Sequence, residues 1–464
     1  MLAGMALVAC GGGGGEQTAG IDARGNPVVN DVISKGTITG FGSVIVNGVR
    51  YDTSTAAFDI DGDDGVQSDL SVGDVVTIQA TVNDDGTSPT ASRVTFDDAV
   101  EGPVQAIDTG ANTITVLGQL VRIDADTSFD DSISPASIDG LDVADIVEVS
   151  GFVLADGSIS ATRIELKPAG GEYEVTGIVS NLTATTFDIN ALTVDFSAAQ
   201  IDNFPNGTPE AGQRVEAKGM NLGAGGELLA TRVEFKGSDL GGNDGDLAEI
   251  EGFITRFVSA SDFDVEGIPV TTTGSTSYVN GTAADLGLNR KVEVEGALNG
   301  SGVLVATKVE LKLSNFIRIE GRVDAVGAAS VTIFGVVINT NAVTRFEDKS
   351  SADLEVFNLT NISVGDYLET RGYEDASGVV ATQVERDDFR GDVAIRAFVD
   401  SVSDPTFTIR GVLIETNGGT EFRDVTDDLI SAGVFFGQAM GRLVEANGAE
   451  SNGGILADQV DLED

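Results

Sequence analysis

The stretch Gly157-Ser-Ile-Ser-Ala-Thr-Arg-Ile-Glu-Leu-Lys167 decides how this chain is read, because the sequence keeps returning to it. Gly226-Glu-Leu-Leu-Ala-Thr-Arg-Val-Glu-Phe-Lys236 and Gly302-Val-Leu-Val-Ala-Thr-Lys-Val-Glu-Leu-Lys312 are near copies. Ala91-Ser-Arg-Val94, Ala381-Thr-Gln-Val-Glu385 and Ala457-Asp-Gln-Val-Asp461 are weaker ones. The aligned alanines Ala91, Ala161, Ala230, Ala306, Ala381 and Ala457 recur every 69 to 76 residues. A period of this length means six copies of one unit, not a single large core.

Outward from the signature, the second unit shows the pattern most cleanly. Val104-Gln-Ala-Ile-Asp108 reads as a first strand, and Asn112-Thr-Ile-Thr-Val-Leu117 alternates polar and apolar as a half-buried strand does. Gly118-Gln119 turns the chain into Leu120-Val-Arg-Ile-Asp124; the first unit has Asn47-Gly48 at this turn, a strong hairpin signal. Thr127-Ser-Phe129 follows, with Thr276-Ser-Tyr278, Thr344-Arg-Phe346 and Thr420-Glu-Phe422 as its counterparts, the ring read as a core plug. After a polar loop of variable length comes Asp145-Ile-Val-Glu-Val-Ser-Gly151, and the signature closes the unit as a fifth strand. In that strand Thr162, Ile164 and Leu166 share one face, with Arg163 and Glu165 expected in solvent. Ala161 falls on the Arg face, so that face is crowded or a bulge swaps parity there.

Short strands without a sustained helical period predict an all-β fold. The expected architecture is a tandem array of about six small antiparallel OB-like β-barrels, favoured because closure removes exposed edges, with small β-sandwiches as the alternative. The repeat boundaries fall at 36–99, 100–168, 172–237, 248–314, 316–389 and 391–464. Short connectors predict a semi-rigid string of beads reaching roughly 170 Å.

The units resemble the bacterial domain-of-unknown-function family 5666. The resemblance is carried by Gly40-Phe-Gly-Ser-Val-Ile-Val-Asn-Gly-Val-Arg-Tyr-Asp52, by the Val-Gly-Asp-x-Val element at Val72 to Val76, and by Ala161-Thr-Arg-Ile-Glu165. It spans Gly36 to Leu462 and implies a secreted or lipid-anchored envelope protein, with no activity attached to the family.

Composition narrows the partners. With 74 acidic and 27 basic residues the formal charge is −47, which argues against nucleic acid and anionic lipid surfaces. The apolar share of 41% is that of a folded chain. There is no His and a single Cys, which leaves no Ser-His or Cys-His nucleophile pair and no imidazole metal site. Paired carboxylates could still act as a hydrolase, but acidic residues are abundant enough to pair by chance, so no catalytic residue is assigned and the protein is expected not to be an enzyme.

At the amino terminus, Leu2-Ala-Gly-Met-Ala-Leu-Val-Ala-Cys10 is too short to span a bilayer and reads as the end of a signal peptide. Leu7-Val-Ala-Cys10 resembles the lipobox of bacterial lipoproteins, which implies acylation of Cys10. No Lys or Arg precedes the apolar run, so translation is expected to start upstream of Met1. Residues 11–35, opening with five glycines, are expected to form a flexible tether spanning about 25 Å. Gly11 after the Cys implies the outer membrane by the sorting rule of such lipoproteins.

One metal candidate stands out. Asp59, Asp61 and Asp63 at alternate positions resemble the first half of an EF-hand calcium loop. Asp64 stands where that loop needs Gly and Leu70 where it needs Glu, so calcium binding there is expected to be weak, and no other cofactor is expected. The functional expectation is a monomeric, lipid-anchored envelope protein, periplasmic or surface facing, presenting a string of β modules in a structural or interaction role toward a protein or glycan partner. A ligand- or glycan-binding array is the alternative, and a carboxylate-based hydrolase the second alternative.

Overall fold

A computed structural model describes residues 31–463, save 84–87, 125, 238–239, 314, 390 and 426–427. The expected signal peptide, Cys10 and the tether up to residue 30 lie outside the described residues. The chain is all-β and built from repeats whose strands are distributed over several sheets. The first strand, Asp31–Gly40, begins before the expected boundary at 36, because Val32 and Ile33 are already buried.

In the second repeat the principal strands are Val100–Asp108, Thr113–Val116, Gln119–Arg122, Ile146–Val153 and Ile159–Leu166. The first pairs with the second, the second with the third, and the third runs parallel to the fifth. The fifth then pairs with the fourth and the fourth with the first, so the hydrogen-bonded circuit closes on itself. Repeats four, five and six close by the same order, with the third strand again parallel to the fifth.

The hairpin between strands two and three is where the sequence speaks most directly. Asn47 (φ 51°) and Gly48 (φ 75°) both take left-handed conformations, as the tight hairpin turn demands. Leu117, Glu266, Phe334 and Arg410 occupy the first of these positions in other repeats, each followed by Gly.

Between strands three and four the expected polar loop holds short 3-10 turns at Gln67–Asp69, Ile138–Gly140, Ala283–Asp285 and Leu359–Asn361. In the sixth repeat it holds a helix, Ala432–Gln438, capped by Ser431. Phe435 of that helix is fully buried and meets Phe407 and Phe422 at 5.3 and 4.9 Å between ring centroids. Phe129 and Phe422 of the Thr-x-aromatic element are core residues.

The described residues group into two compact units: 43–312 with the chain up to 38, and 313–463 with 39–42. Within the first unit, repeat one is joined to repeat four, as Val32 to Lys35 run parallel to Leu247 to Ile250. Repeat two is joined antiparallel to repeat three through Val100↔Val175 and Glu101↔Glu174. In the second unit, repeats five and six pair through Arg318↔Arg396, Ile319↔Ile395 and Glu320↔Ala394. The expected string of separate beads is therefore corrected within each unit. The reason is geometric: strand one meets strand four over its first half and strand two only over its second. Its first half keeps an open edge, and an open edge recruits another strand. Here the recruit is the same strand of another repeat. No helix among the described residues is long and apolar enough to cross a membrane.

Candidate functional site

The signature strand carries a β-bulge. Ser150 pairs with Arg163 but Gly151 pairs with Ala161, leaving Thr162 as the extra residue. The same shift makes Ser92, Thr307, Thr382 and Asp458 extra in repeats one, four, five and six. The bulge swaps parity, so Ala161 and Ile164 are both buried. Gly151 is required opposite it, because a Cβ there would lie 2.4 Å from the Ser160 carbonyl oxygen. The hydroxyls of Ser92, Thr307 and Thr382 each donate, at 3.1 Å, to the carbonyl of the residue preceding this glycine or its counterpart.

The charges beside the bulge do not point into open water. The expectation of a solvated Arg163 is corrected: it is 6% exposed and donates to the Val72 carbonyl at 3.1 Å and to Glu165 at 2.6 Å, because a loop of repeat one lies over it. The lysine that ends each strong copy of the signature reaches the strand-four glutamate: Lys167 to Glu148 at 2.6 Å, Lys236 to Glu216 at 2.9 Å, Lys312 to Glu293 at 2.7 Å.

The junction of repeats two and three gathers carboxylates. Register alone aligns Glu165, Glu148, Glu101 and Glu174 as successive cross-strand neighbours on one face of a continuous sheet, with Lys218 next in the row. Like charges placed directly opposite are unfavourable by a few tenths of a kcal/mol to about 1 kcal/mol per pair. Repeat one covers this face. Its hairpin turn brings Asp61, whose carboxylate accepts the Asp98 N–H at 3.0 Å, and the connector to repeat two brings Asp98 itself. Lys218 donates to Glu174 and to the Asp61 carbonyl, both at 2.5 Å.

Asp98 is 2% exposed, and neither of its carboxylate oxygens has a hydrogen-bond partner among the described residues; the same is true of Glu174 Oε1. Burial, reinforced by Glu174, Asp61, Glu148 and Glu101, holds the Asp98 carboxyl well above the usual carboxylate range. Burial and the neighbouring Glu216 and Asp61 likewise raise Glu174, against the pull of Lys218. Asp61 is pushed up to about 6 and Glu148 to about 8, each chiefly by burial.

A cavity of about 240 Å³ adjoins Asp98, where all four repeats of the first unit meet. Lys35, Arg214 and Lys236 face it, as do Asp97, Asp98 and Glu266, so its wall as a whole favours neither sign. Burial, with Arg214 nearby, lowers the Lys35 ammonium below its ordinary value. Lys236 is held by Asp97 at 2.8 Å, and Glu266 accepts the N–H groups of Val153 and Phe253 at 3.1 and 3.2 Å.

The aspartates singled out in the sequence are placed apart. Phe58↔Gly65, Asp59↔Asp64 and Ile60↔Asp63 form a hairpin around Asp61 (φ 51°) and Gly62 (φ 82°), so the segment is a tight turn and not an open loop. Asp59 is bound to Arg93, Asp63 is exposed, and only Asp61 turns toward other carboxylates. Sequence reasoning missed Asp98, Glu101, Glu148 and Glu174. The available signal was the Glu-Gly pair of strand one and the alternating Glu of strand four, which become neighbours only when the register is known.

Six segments, 33–95, 101–165, 176–234, 251–310, 320–385 and 396–461, match Domain of unknown function (DUF5666). The chain belongs to the DUF5666 family. In repeats two, four, five and six the matched segment runs from the first half of strand one to the signature strand and takes in the closed circuit of pairing, whereas in repeat three the strands are divided between two sheets. No curated protein matches the chain. Among solved structures it is similar to drosophila Unr CSD456, at 12% identity over 46% of this chain and 98% of that one, with a TM-score of 0.15, too slight a likeness to bear on the fold. The acidic junction is thus a feature of two particular DUF5666 repeats and of what repeat one lays across them.

Proposed function

We propose that this chain is a structural or interaction protein of the cell envelope. In this reading it is exported, acylated at Cys10 and held by that anchor at the outer membrane, where it presents six OB-like β-barrels as a monomer to a protein or glycan partner. The observation that carries the reading is repetition: the same module made six times supplies multivalent surface, whereas catalysis needs one distinctive cleft. The barrel assignment is supported by the closed circuit of five strands with the third parallel to the fifth. A charge of −47 supports a partner other than nucleic acid, and no catalytic role is proposed. A ligand-binding array is the second reading, favoured by the cavity lined by residues of four repeats.

The anchor is tested by metabolic labelling with an alkyne fatty acid in a bacterial host that has an outer membrane. The wild-type chain should be labelled and fractionate with the outer membrane, and Cys10→Ser should be unlabelled and released. Labelling that survives Cys10→Ser, or an unlabelled wild type in the cytoplasm, overturns the proposal. A glycan array with the released chain separates the two readings of the surface.

A further inference from the structure

We propose that the junction of repeats two and three is a binding site for a hard divalent cation of the calcium kind, held by Asp98 together with Asp61, Glu101, Glu148 and Glu174. Two overlapping sets define it. Ligand oxygens of Asp61, Asp98 and Glu174 lie within 4.8 Å of one another, as do those of Asp98, Glu101 and Glu148. Asp98 belongs to both, which puts it at the centre.

The second observation is independent of the count of acids. Asp98 is buried with both carboxylate oxygens unpartnered among the described residues, and Glu174 Oε1 is in the same state. A buried oxygen without a donor is costly, more so when charged, and folded chains rarely leave one so. A cation centred on Asp98 would satisfy these oxygens together.

The chain solves the same problem differently elsewhere. Repeats five and six pair in the same antiparallel manner, with Glu320-Gly321 standing where repeat two has Glu101-Gly102. At that junction Arg318 lies two residues before Glu320 and binds Glu369 at 3.0 Å and Glu445 at 2.8 Å. In repeat two the corresponding position is Ala99. The arginine is gone, Glu174 is added across the pair, and Asp61 and Asp98 are laid on top. Lys218 and Lys167 engage Glu174 and Glu148 from the flanks and leave Asp98 unmatched.

The donor set identifies the ion class. All donors are carboxylate oxygens from four segments of chain, without nitrogen or sulfur, which suits calcium, an ion that accepts six to eight oxygens in irregular geometry. Magnesium demands a near-ideal octahedron and fits less well.

The test uses the full chain, stripped with chelator and titrated with calcium chloride at about 0.15 M salt, where diffuse attraction to a chain of this charge is screened. The expected result is a saturable heat with a stoichiometry of one at this site and a rise in Tm of at least about 3 °C at millimolar calcium. Asp98→Asn removes both, Glu101→Gln weakens affinity about tenfold or more, and Asp63→Asn leaves both intact. Because Asp98→Asn removes one acid from a crowd of carboxylates and its amide can donate to those that remain, it should fold and melt no lower than wild type in chelator. A wild type with no saturable heat and no shift in Tm overturns the site. So does a response that Asp63→Asn abolishes and Asp98→Asn spares, which would return calcium to the Asp59–Asp63 turn.

Discussion

The Thr127 hydroxyl donates to the carbonyl oxygen of Ala161 at 2.9 Å, joining the Thr-x-aromatic element to the signature strand. Thr276 to Ala306, Thr344 to Ala381 and Thr420 to Ala457 repeat this bond at 2.7 Å each. The bulge explains why. At Ala161 the ladder slips by one residue, and the slip takes that carbonyl out of regular pairing.

Thr344→Val therefore keeps shape but leaves a buried carbonyl unsatisfied, at a cost of about 1–3 kcal/mol. Thermal unfolding should show a lower Tm for Thr344→Val and a nearly native one for Thr344→Ser. Equal melting of both variants would mean that the bond contributes nothing.

Glu249 makes stability depend on pH in the alkaline direction. Burial, then Glu293 and Glu295, push its carboxyl up to about 9. A carboxyl raised on folding contributes stability below its ordinary value of 4.5, and that contribution is lost as pH rises toward 9. Glu249→Gln should match wild type near pH 4.5 and exceed it at pH 8 by a few kcal/mol, on the order that such a shift implies. Denaturant midpoints at the two pH values give the comparison; a variant weaker than wild type at pH 8 refutes it.

Asp348 acts in the opposite sense. Burial alone would raise its carboxyl, but hydrogen bonds from Arg386, Ser350 and the Leu354 N–H outweigh burial and hold it down at about 2. This stability is present above 3.8 and is lost as pH falls toward 2. Arg386→Met leaves a buried carboxylate without its cation, at a cost of about 3 kcal/mol near neutral pH. The gap between variant and wild type should narrow from pH 4 to pH 2, and a gap independent of pH would assign the loss to packing on Phe357, over which Arg386 also lies at 4.7 Å.

Much of the repeat was legible because its devices are local. Asn47-Gly48 announces a tight turn, alternation in Thr113–Val116 announces a strand, and the misplaced Ala161 announces a choice between crowding and a bulge. What was hidden depends on distant chain. Arg163 looks solvated until Val72 of another repeat covers it. Asp98 is one acid among 74, set apart by a buried carboxylate whose two oxygens have no hydrogen-bond partner among the described residues. That Val32 seeks Leu247 is also illegible, since every repeat offers a similar open strand and tertiary packing chooses among them.

The pairing of Val32 with Leu247 also fixes an order of assembly. Repeats two and three can join as soon as both have been made, and so can five and six. Repeat one must hold its edge unpaired until the first strand of repeat four, beyond two intervening repeats, is available to it. Its partner arrives last and closes a bracket around the inner pair. During that interval the chain carries an unsatisfied strand, so the step most open to misassembly is the arrival of repeat four.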